Sequence, residues 1–141
     1  MTPSDHRGRF VASPVARLST VDPTGWPHIV PVVFAVAGDL LWIAVDHKPK
    51  SSRNLKRLRN IQSNPAVSLL VDHYEDDWTA LWWARADGTA AVVSTPSAMT
   101  DPIDHLVAKY PQYQAIRPEG PVIEVKVTRW TGWAATPTEL S

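Results

Sequence analysis

The sequence predicts a mainly-β domain: about six strands in antiparallel order, with one or two short helices, forming a small closed or partly closed barrel. Three observations carry this. Short runs of alternating or continuously apolar residues recur along the chain, separated by turns built on Gly, Pro and Asp. The first three runs follow one another as a meander. Helical periodicity is confined to two stretches, residues 55–61 and 103–110.

Taken in order, residues 1–13 are polar and allow at most a short helix near 6–11. Residues 15–21 alternate weakly, with Val15, Arg17 and Ser19 set against Ala16, Leu18 and Thr20. Asp22-Pro23-Thr24-Gly25 then makes a turn, because proline presets one backbone angle and glycine permits positive φ. A second strand, 26–36, is interrupted by Pro27 and Pro31. Prolines cannot donate to a ladder, so this strand is expected at an edge or with bulges. Ala37-Gly38-Asp39 turns the chain into a third, very apolar strand at 40–45.

The basic stretch that follows is the centre of the functional reading. Leu55, Leu58 and Ile61 line one face of a helix, while Lys56, Arg57, Arg59 and Asn60 point elsewhere. Ser51 or Ser52 can cap its start, and Asn64-Pro65 stops it. Lys48, Lys50 and Arg53 crowd the N-terminus, where the helix dipole is already positive. Each misplaced cation costs roughly 0.3–1 kcal/mol. A bound anion, such as a phosphate held by free N–H groups, compensates this; a solvated basic helix end is the plainer alternative.

Residues 66–71 form a fourth strand and 73–77 an acidic loop. Residues 78–85 alternate large and small, Ala86-Asp87-Gly88 reads as a bend or bulge, and 90–93 continue the strand. Ile103, Leu106, Val107 and Tyr110 mark a short amphipathic helix ended by Pro111. A final strand at 122–130 alternates Ile123, Val125 and Val127 against Glu124, Lys126 and Thr128.

Composition narrows the function. The 141 residues suit one domain with a real core, 44% hydrophobic and 20% charged. Fourteen cations balance fourteen anions, yet six of the cations lie between residues 48 and 59. Overall neutrality and the shortness of that cluster argue against nucleic-acid binding. Without cysteine there are no disulfides, and a reducing compartment suits the chain. No membrane-length apolar run and no signal-peptide pattern occur, so a soluble, cytoplasmic domain is expected.

The five histidines, at 6, 28, 47, 73 and 105, show no ligand spacing, and no metal is expected. Asp101 and His105 stand one turn apart, which more often marks a surface pair. No P-loop, G-x-G-x-x-G or G-x-S-x-G is present, and no catalytic residue can be named. So few reactive groups point to a cofactor that supplies the chemistry. Seven tryptophans are the other signal. Adjacent Trp82 and Trp83 must face opposite sides of one strand. They fill a core or a dimer interface, or stack on a planar ring.

The chain resembles the split β-barrel flavin/deazaflavin oxidoreductase superfamily. Within it, the chain is most similar to the PPOX-class branch of F-420-dependent enzymes (the FDOR-B type, with a pyridoxamine 5'-phosphate oxidase-like fold). The matching segments are R-L-S-T-V-D-P-T-G-W-P-H-I-V-P-V-V-F at 17–34, K-P-K-S-S-R-N-L-K-R-L-R-N-I at 48–61, N-P-A-V-S-L-L-V-D-H-Y at 64–74, D-W-T-A-L-W-W-A-R at 77–85 and R-W-T-G-W at 129–133. Their order and spacing cover most of the chain.

The resemblance implies a six-stranded antiparallel split barrel of the FMN-binding type, homodimeric, with the cofactor in a groove between subunits. The ring system is expected against residues 31–34 and 41–44, naming Pro31, Val32, Val33, Phe34, Trp42 and Ile43. The phosphate site maps onto Lys48, Lys50, Ser51, Arg53 and Asn54. The partner subunit is expected to close the groove with Trp82, Trp83 and Arg85. Coenzyme F-420 also carries a lactyl-oligoglutamate tail, for which Lys56, Arg57 and Arg59 supply cations. The implied activity is hydride transfer to or from a small conjugated organic substrate. An FMN-binding oxidoreductase and a non-catalytic cofactor-binding or storage protein are the alternatives. The terminal T-P-T-E-L-S departs from the R-L-x-P-like segment of pyridoxamine phosphate oxidases, and no histidine can be assigned as a haem ligand.

Overall fold

The computed structural model describes residues 2–45 and 52–136; the side chains of 52–55 lie outside the description. The elements are α1 (Pro3–Ala12), β1 (Ala16–Val21), β2 (Pro27–Val32), β3 (Ala35–Ala37), β4 (Leu40–Ala44), α2 (Ser52–Ser63), β5 (Ala66–His73), β6 (Trp82–Val93), α3 (Pro96–Lys109), α4 (Pro111–Ala115) and β7 (Val122–Ala134). The seven strands form one antiparallel sheet in the order β2-β1-β5-β6-β7-β4-β3. Its two edges, β2 and β3, are consecutive in the chain and separated only by Val33 and Phe34. Two residues therefore tie the ends of the sheet together, and the sheet curls into a barrel split along that seam.

This explains why the expected single strand at 26–36 is two strands, and the count seven rather than six. Pro27 and Pro31 keep β2 at an edge, as their missing N–H groups require. The chain then changes partner, from β1 on one side to β4 on the other. The turn before β2 forms as expected: the Asp22 carboxylate accepts from Thr24 N, Thr24 Oγ1 and Trp26 N, and Gly25 takes φ +88°.

Several boundaries move, each for a local reason. Helix α1 is longer than expected because Thr2 and Asp5 form a reciprocal capping box and Pro3 opens the first turn. The Asp77 carboxylate accepts from Thr79 N and Oγ1, which draws Trp78–Ala80 into a 3-10 turn, so β6 begins at Trp82 rather than 78. Strand β5 runs on to His73, into the expected loop. The register of β6 against β7 shifts between Asp87 and Gly88, the expected bulge, and a Cβ on Gly88 would sit 2.1 Å from the Lys126 carbonyl oxygen. Pro111 ends α3 but also opens α4, and β7 continues past Trp130 to Ala134.

The core lies inside the barrel, built from inward residues such as Leu18, Leu41, Ile43, Leu69, Val71, Ile123 and Val125. Helix α1 closes one opening with Phe10, whose ring stands 5.0 Å from Phe34 and 5.3 Å from Trp130. Helix α3 covers the outside of β3 and β4, where Ile103 packs with Trp42 and Val122, and Leu106 with Ala35 and Ala44. Ile61 of α2 is buried and Leu58 packs against the core as the periodicity predicts. Asn60 does not point away. It is buried and donates from Nδ2 to Thr20 Oγ1 at 3.1 Å, because inward-facing Thr20 needs a partner in an apolar setting.

Candidate functional site

The seam of the barrel is where the structure gathers polar contacts. Phe34 N donates to the Tyr110 hydroxyl at 3.0 Å. The single phenolic proton serves Pro14 O (2.8 Å) or Phe34 O (3.0 Å). Tyr110 thus clamps the β2–β3 crossover to α3; burial raises its pKa, and the bond with Phe34 opposes that. Beside it, Lys109 Nζ donates to Ser13 O (2.8 Å) and Val11 O (3.2 Å) and lies 3.7 Å from the centroid of the Phe34 ring. Burial lowers the lysine's pKa to about 8. These contacts tie the end of α1, the crossover and the end of α3 into one unit.

Against this unit opens a cleft of about 400 Å³ lined by Pro14, Val15, Val33, Tyr110, Gln112 and Tyr113. The two tyrosine rings meet edge to face, 5.9 Å between centroids. Sequence reasoning placed Tyr110 only on a helix face and missed Lys109 and Tyr113. The hydrogen-bond partners of Tyr110 and Lys109 are at least 76 residues away, and no local pattern announces such contacts.

The residues expected to contact a cofactor ring separate into two sets. Val32, Phe34 and Ile43 are core residues, and Trp42 is buried under α3, donating from Nε1 to Glu124 at 2.9 Å. What these four offer a ligand at their strands is backbone. Pro31 instead faces outward. It pairs with Arg17, Arg17 with Leu70, and Leu70 with Arg85, so Pro31 and the outward-facing Trp83 share one outer face three strands apart. At about 4.8 Å per strand that is roughly 14 Å along the sheet. Val33 is half-buried and lines the cleft.

Trp82 and Trp83 do face opposite ways. Trp82 packs onto the barrel core, with Arg9 over its ring at 5.2 Å and His73 stacked at 6.3 Å. It also borders a cleft of about 330 Å³ with Thr79, Thr136 and Arg9. Trp83 stands outside beside Arg85, 5.6 Å away, and opposite Trp133, which is 48% exposed. The same outer face carries Ile29, 63% exposed, and two charge pairings: Arg17–Asp72 at 3.7 Å, and Asp87 held by Arg85 Nε (3.2 Å) and Ser68 Oγ (2.6 Å).

Lys48, Lys50 and Ser51 fall outside the described residues. Arg53 and Asn54 occupy the first turn of α2, with side chains outside the description. Further along α2, Lys56 and Arg59 are exposed and line a cleft of about 390 Å³ with Asp22, Pro23 and Asn60. Arg57 is half-buried on another face, and burial lowers its pKa. The cations of α2 beyond Arg53 therefore divide, two on the open cleft and one half-buried on another face. Asp101 and His105 interact only through the backbone, His105 Nδ1 lying 2.8 Å from Asp101 O. Among the described residues no group of His, Cys, Asp or Glu is arranged to hold a metal, and no helix is long and apolar enough to cross a membrane.

Comparison with known proteins agrees with this architecture. A conserved hypothetical protein from Mycobacterium tuberculosis superposes with a TM-score of 0.77 at 20% identity, covering 100% of this chain and 91% of its own. An FAD-binding protein from Mesorhizobium loti gives 0.69 at 18%, covering 94% of each chain. The heme storage protein HutZ from Vibrio cholerae gives 0.68 at 16%, covering 95% of each. No curated protein matches the sequence. The family model for pyridoxamine 5'-phosphate oxidase matches residues 4–134. With that match and its split barrel, the chain belongs to the pyridoxamine 5'-phosphate oxidase family.

Proposed function

We propose that the chain is an oxidoreductase that binds the deazaflavin F-420 between two copies of itself and moves a hydride to or from a small conjugated substrate. The observation that carries this is the outer sheet face. It brings Pro31 of one edge strand onto the same surface as Trp83, with Trp133 opposite and Arg85 alongside. Two tryptophans opposite one another in register, with a guanidinium over one of them, suit a planar ring system that carries partial negative charge. The covering copy is expected to hide well over about 1,200 Å² in total.

The described residues fit F-420 in one further respect. Lys56 and Arg59 line one open cleft beside the β1–β2 turn, with Asp22, where a tail of several carboxylates would find two cations. Bound there, the cofactor would give or accept the hydride. The chain's residues orient the ring, exclude water and neutralise the tail, without a covalent step.

FMN is the second reading. Family membership favours it, since pyridoxamine phosphate oxidases use FMN, and two structural neighbours are described as FAD-binding. The neighbour described as a heme storage protein keeps a binding role without turnover in view.

Fluorescence quenching with F-420 and FMN at increasing salt tests the choice. F-420 should bind more tightly, and its advantage should shrink as salt screens the exposed cations over about 8–10 Å. The double variant Lys56→Ala, Arg59→Ala should lose that advantage while still binding the ring. Equal or tighter FMN binding, or a preference indifferent to salt, promotes the second reading. Light scattering that returns a monomer at micromolar concentration removes the intersubunit groove.

A further inference from the structure

We infer that the cleft beside Val33 is the subsite for the organic substrate, and that it selects an uncharged, planar aromatic or conjugated molecule about two fused rings in size. The assignment of this molecule as the hydride partner rests on the function proposed above; its binding does not.

The volume, about 400 Å³, falls within the roughly 300–1,000 Å³ of small-molecule pockets. Its lining is Pro14, Val15, Val33, Tyr110, Gln112 and Tyr113, with no charged side chain. A charged ligand entering it loses hydration and meets no counter-ion in the lining, since Lys109 stands behind the Tyr110 ring, 5.3 Å from its centroid, and already donates to Ser13 O and Val11 O, which is unfavourable. The Tyr110 hydroxyl is already committed to Phe34 N and the Pro14 or Phe34 carbonyl, so that residue presents its ring as an apolar wall. Tyr113 stands at 76° to it, which leaves a corner formed by one ring face and one ring edge. Aromatic groups favour such offset and edge-to-face contacts. Gln112 contributes the one amide of the lining, able to donate to a carbonyl or accept from a hydroxyl.

Position supports the same conclusion. Val33 lies two residues from Pro31, at the crossover that joins the two sheet edges. The clamp from Tyr110 and Lys109 behind it holds that wall of the cleft in place. The ligand therefore meets a preformed surface rather than a loop that must first be ordered.

The test uses cofactor-free protein and 2-naphthol, followed by its own fluorescence, with naphthalene-2-sulfonate as the charged comparator. Saturable binding of 2-naphthol is expected, with the sulfonate at least about tenfold weaker, a difference of roughly 1.4 kcal/mol. Val33→Trp, which fills the cleft from the crossover, should weaken 2-naphthol at least about tenfold. Gln112→Trp fills the mouth from exposed α4 and should do the same, so the test survives if Val33→Trp fails to fold. F-420 titrations of the same variants separate the two ideas. Cofactor binding with no 2-naphthol binding, with binding unaffected by both fillings, or with the sulfonate binding equally well, overturns the subsite and leaves the function standing. Filling-sensitive 2-naphthol binding without any F-420 or FMN binding supports the subsite and overturns the function.

Discussion

Replacing Tyr110 with phenylalanine removes one oxygen and tests whether the seam of the barrel depends on it. That oxygen accepts from Phe34 N at 3.0 Å and supplies a proton to Pro14 O at 2.8 Å or Phe34 O at 3.0 Å. Phe34 is fully buried, so its N–H gains no water when the acceptor goes. An orphaned buried donor costs about 1–3 kcal/mol, and the lost donation adds about 0.5–1.5 kcal/mol. The sum, about 1.5–4.5 kcal/mol, is a large share of the roughly 5–15 kcal/mol that holds a domain folded. Urea unfolding should show a lower midpoint with an unchanged slope. Amide exchange should show where the loss falls, with Phe34 and β3 exchanging faster relative to Leu69 in the barrel centre. A loss below about 0.5 kcal/mol with Phe34 protection unchanged would falsify the clamp.

Three further perturbations probe other parts of the fold. Asn60→Ala should cost about 1–3 kcal/mol by stranding buried Thr20, and adding Thr20→Val should recover part of it; chemical unfolding that shows no recovery refutes the pairing. Gly88→Ala places a methyl 2.1 Å from the Lys126 carbonyl oxygen and should cost about 1–3 kcal/mol or more, read as a lowered melting temperature; an unshifted melt means the bulge relaxes freely. His6 is 8% exposed, and burial depresses its pKa. The unfolded chain therefore binds the extra proton first, and stability should fall as pH drops from about 6.5 towards the folded value. Unfolding at pH 7, 6 and 5 should show this slope, His6→Phe should flatten it, and equal slopes in the two proteins refute the assignment.

Much of the fold was legible because most strands carry their own signal. The period of two in 122–127, the Asp22–Gly25 turn, the bulge at Ala86–Gly88 and the helix stop at Asn64-Pro65 are local chemistry, and they survive in the structure. The missed features depend on partners distant in sequence. Pro27 and Pro31 correctly marked an edge, but the opposite edge is set by β4 and by Tyr110. Asn60 looked like a surface residue until Thr20, 40 positions away, supplied a reason to bury it. For the site, the family resemblance named Pro31 and Trp83, which share a face, together with Val32, Phe34 and Ile43, which pack the core. A strand alternates, so a contiguous run such as 31–34 always divides between two faces.

The outer face that Pro31 and Trp83 share is unusual in how its charges are disposed. Arg17 is matched by Asp72, and Arg85 by Asp87, which Ser68 also holds. Each pair is satisfied within the chain. Covering this surface with a second copy therefore strands neither pair, the penalty that usually opposes burial of arginine and aspartate, and leaves exposed Arg129, opposite Asp87 in register, as the charge a partner must meet. Ile29, Leu70 and Trp133 meanwhile offer apolar area that the barrel's own core cannot reach. Exposed pairs of this kind add little stability to an isolated barrel, so their placement is better explained by what lies against them. In the proposed dimer they do two things at once: they let the aromatic wall around Trp83 be buried, and they keep arginines beside it for a ring that carries negative charge. The seam supplies the complementary half, because splitting one strand across both sheet edges is what places Val33 and its cleft at the border of that same surface.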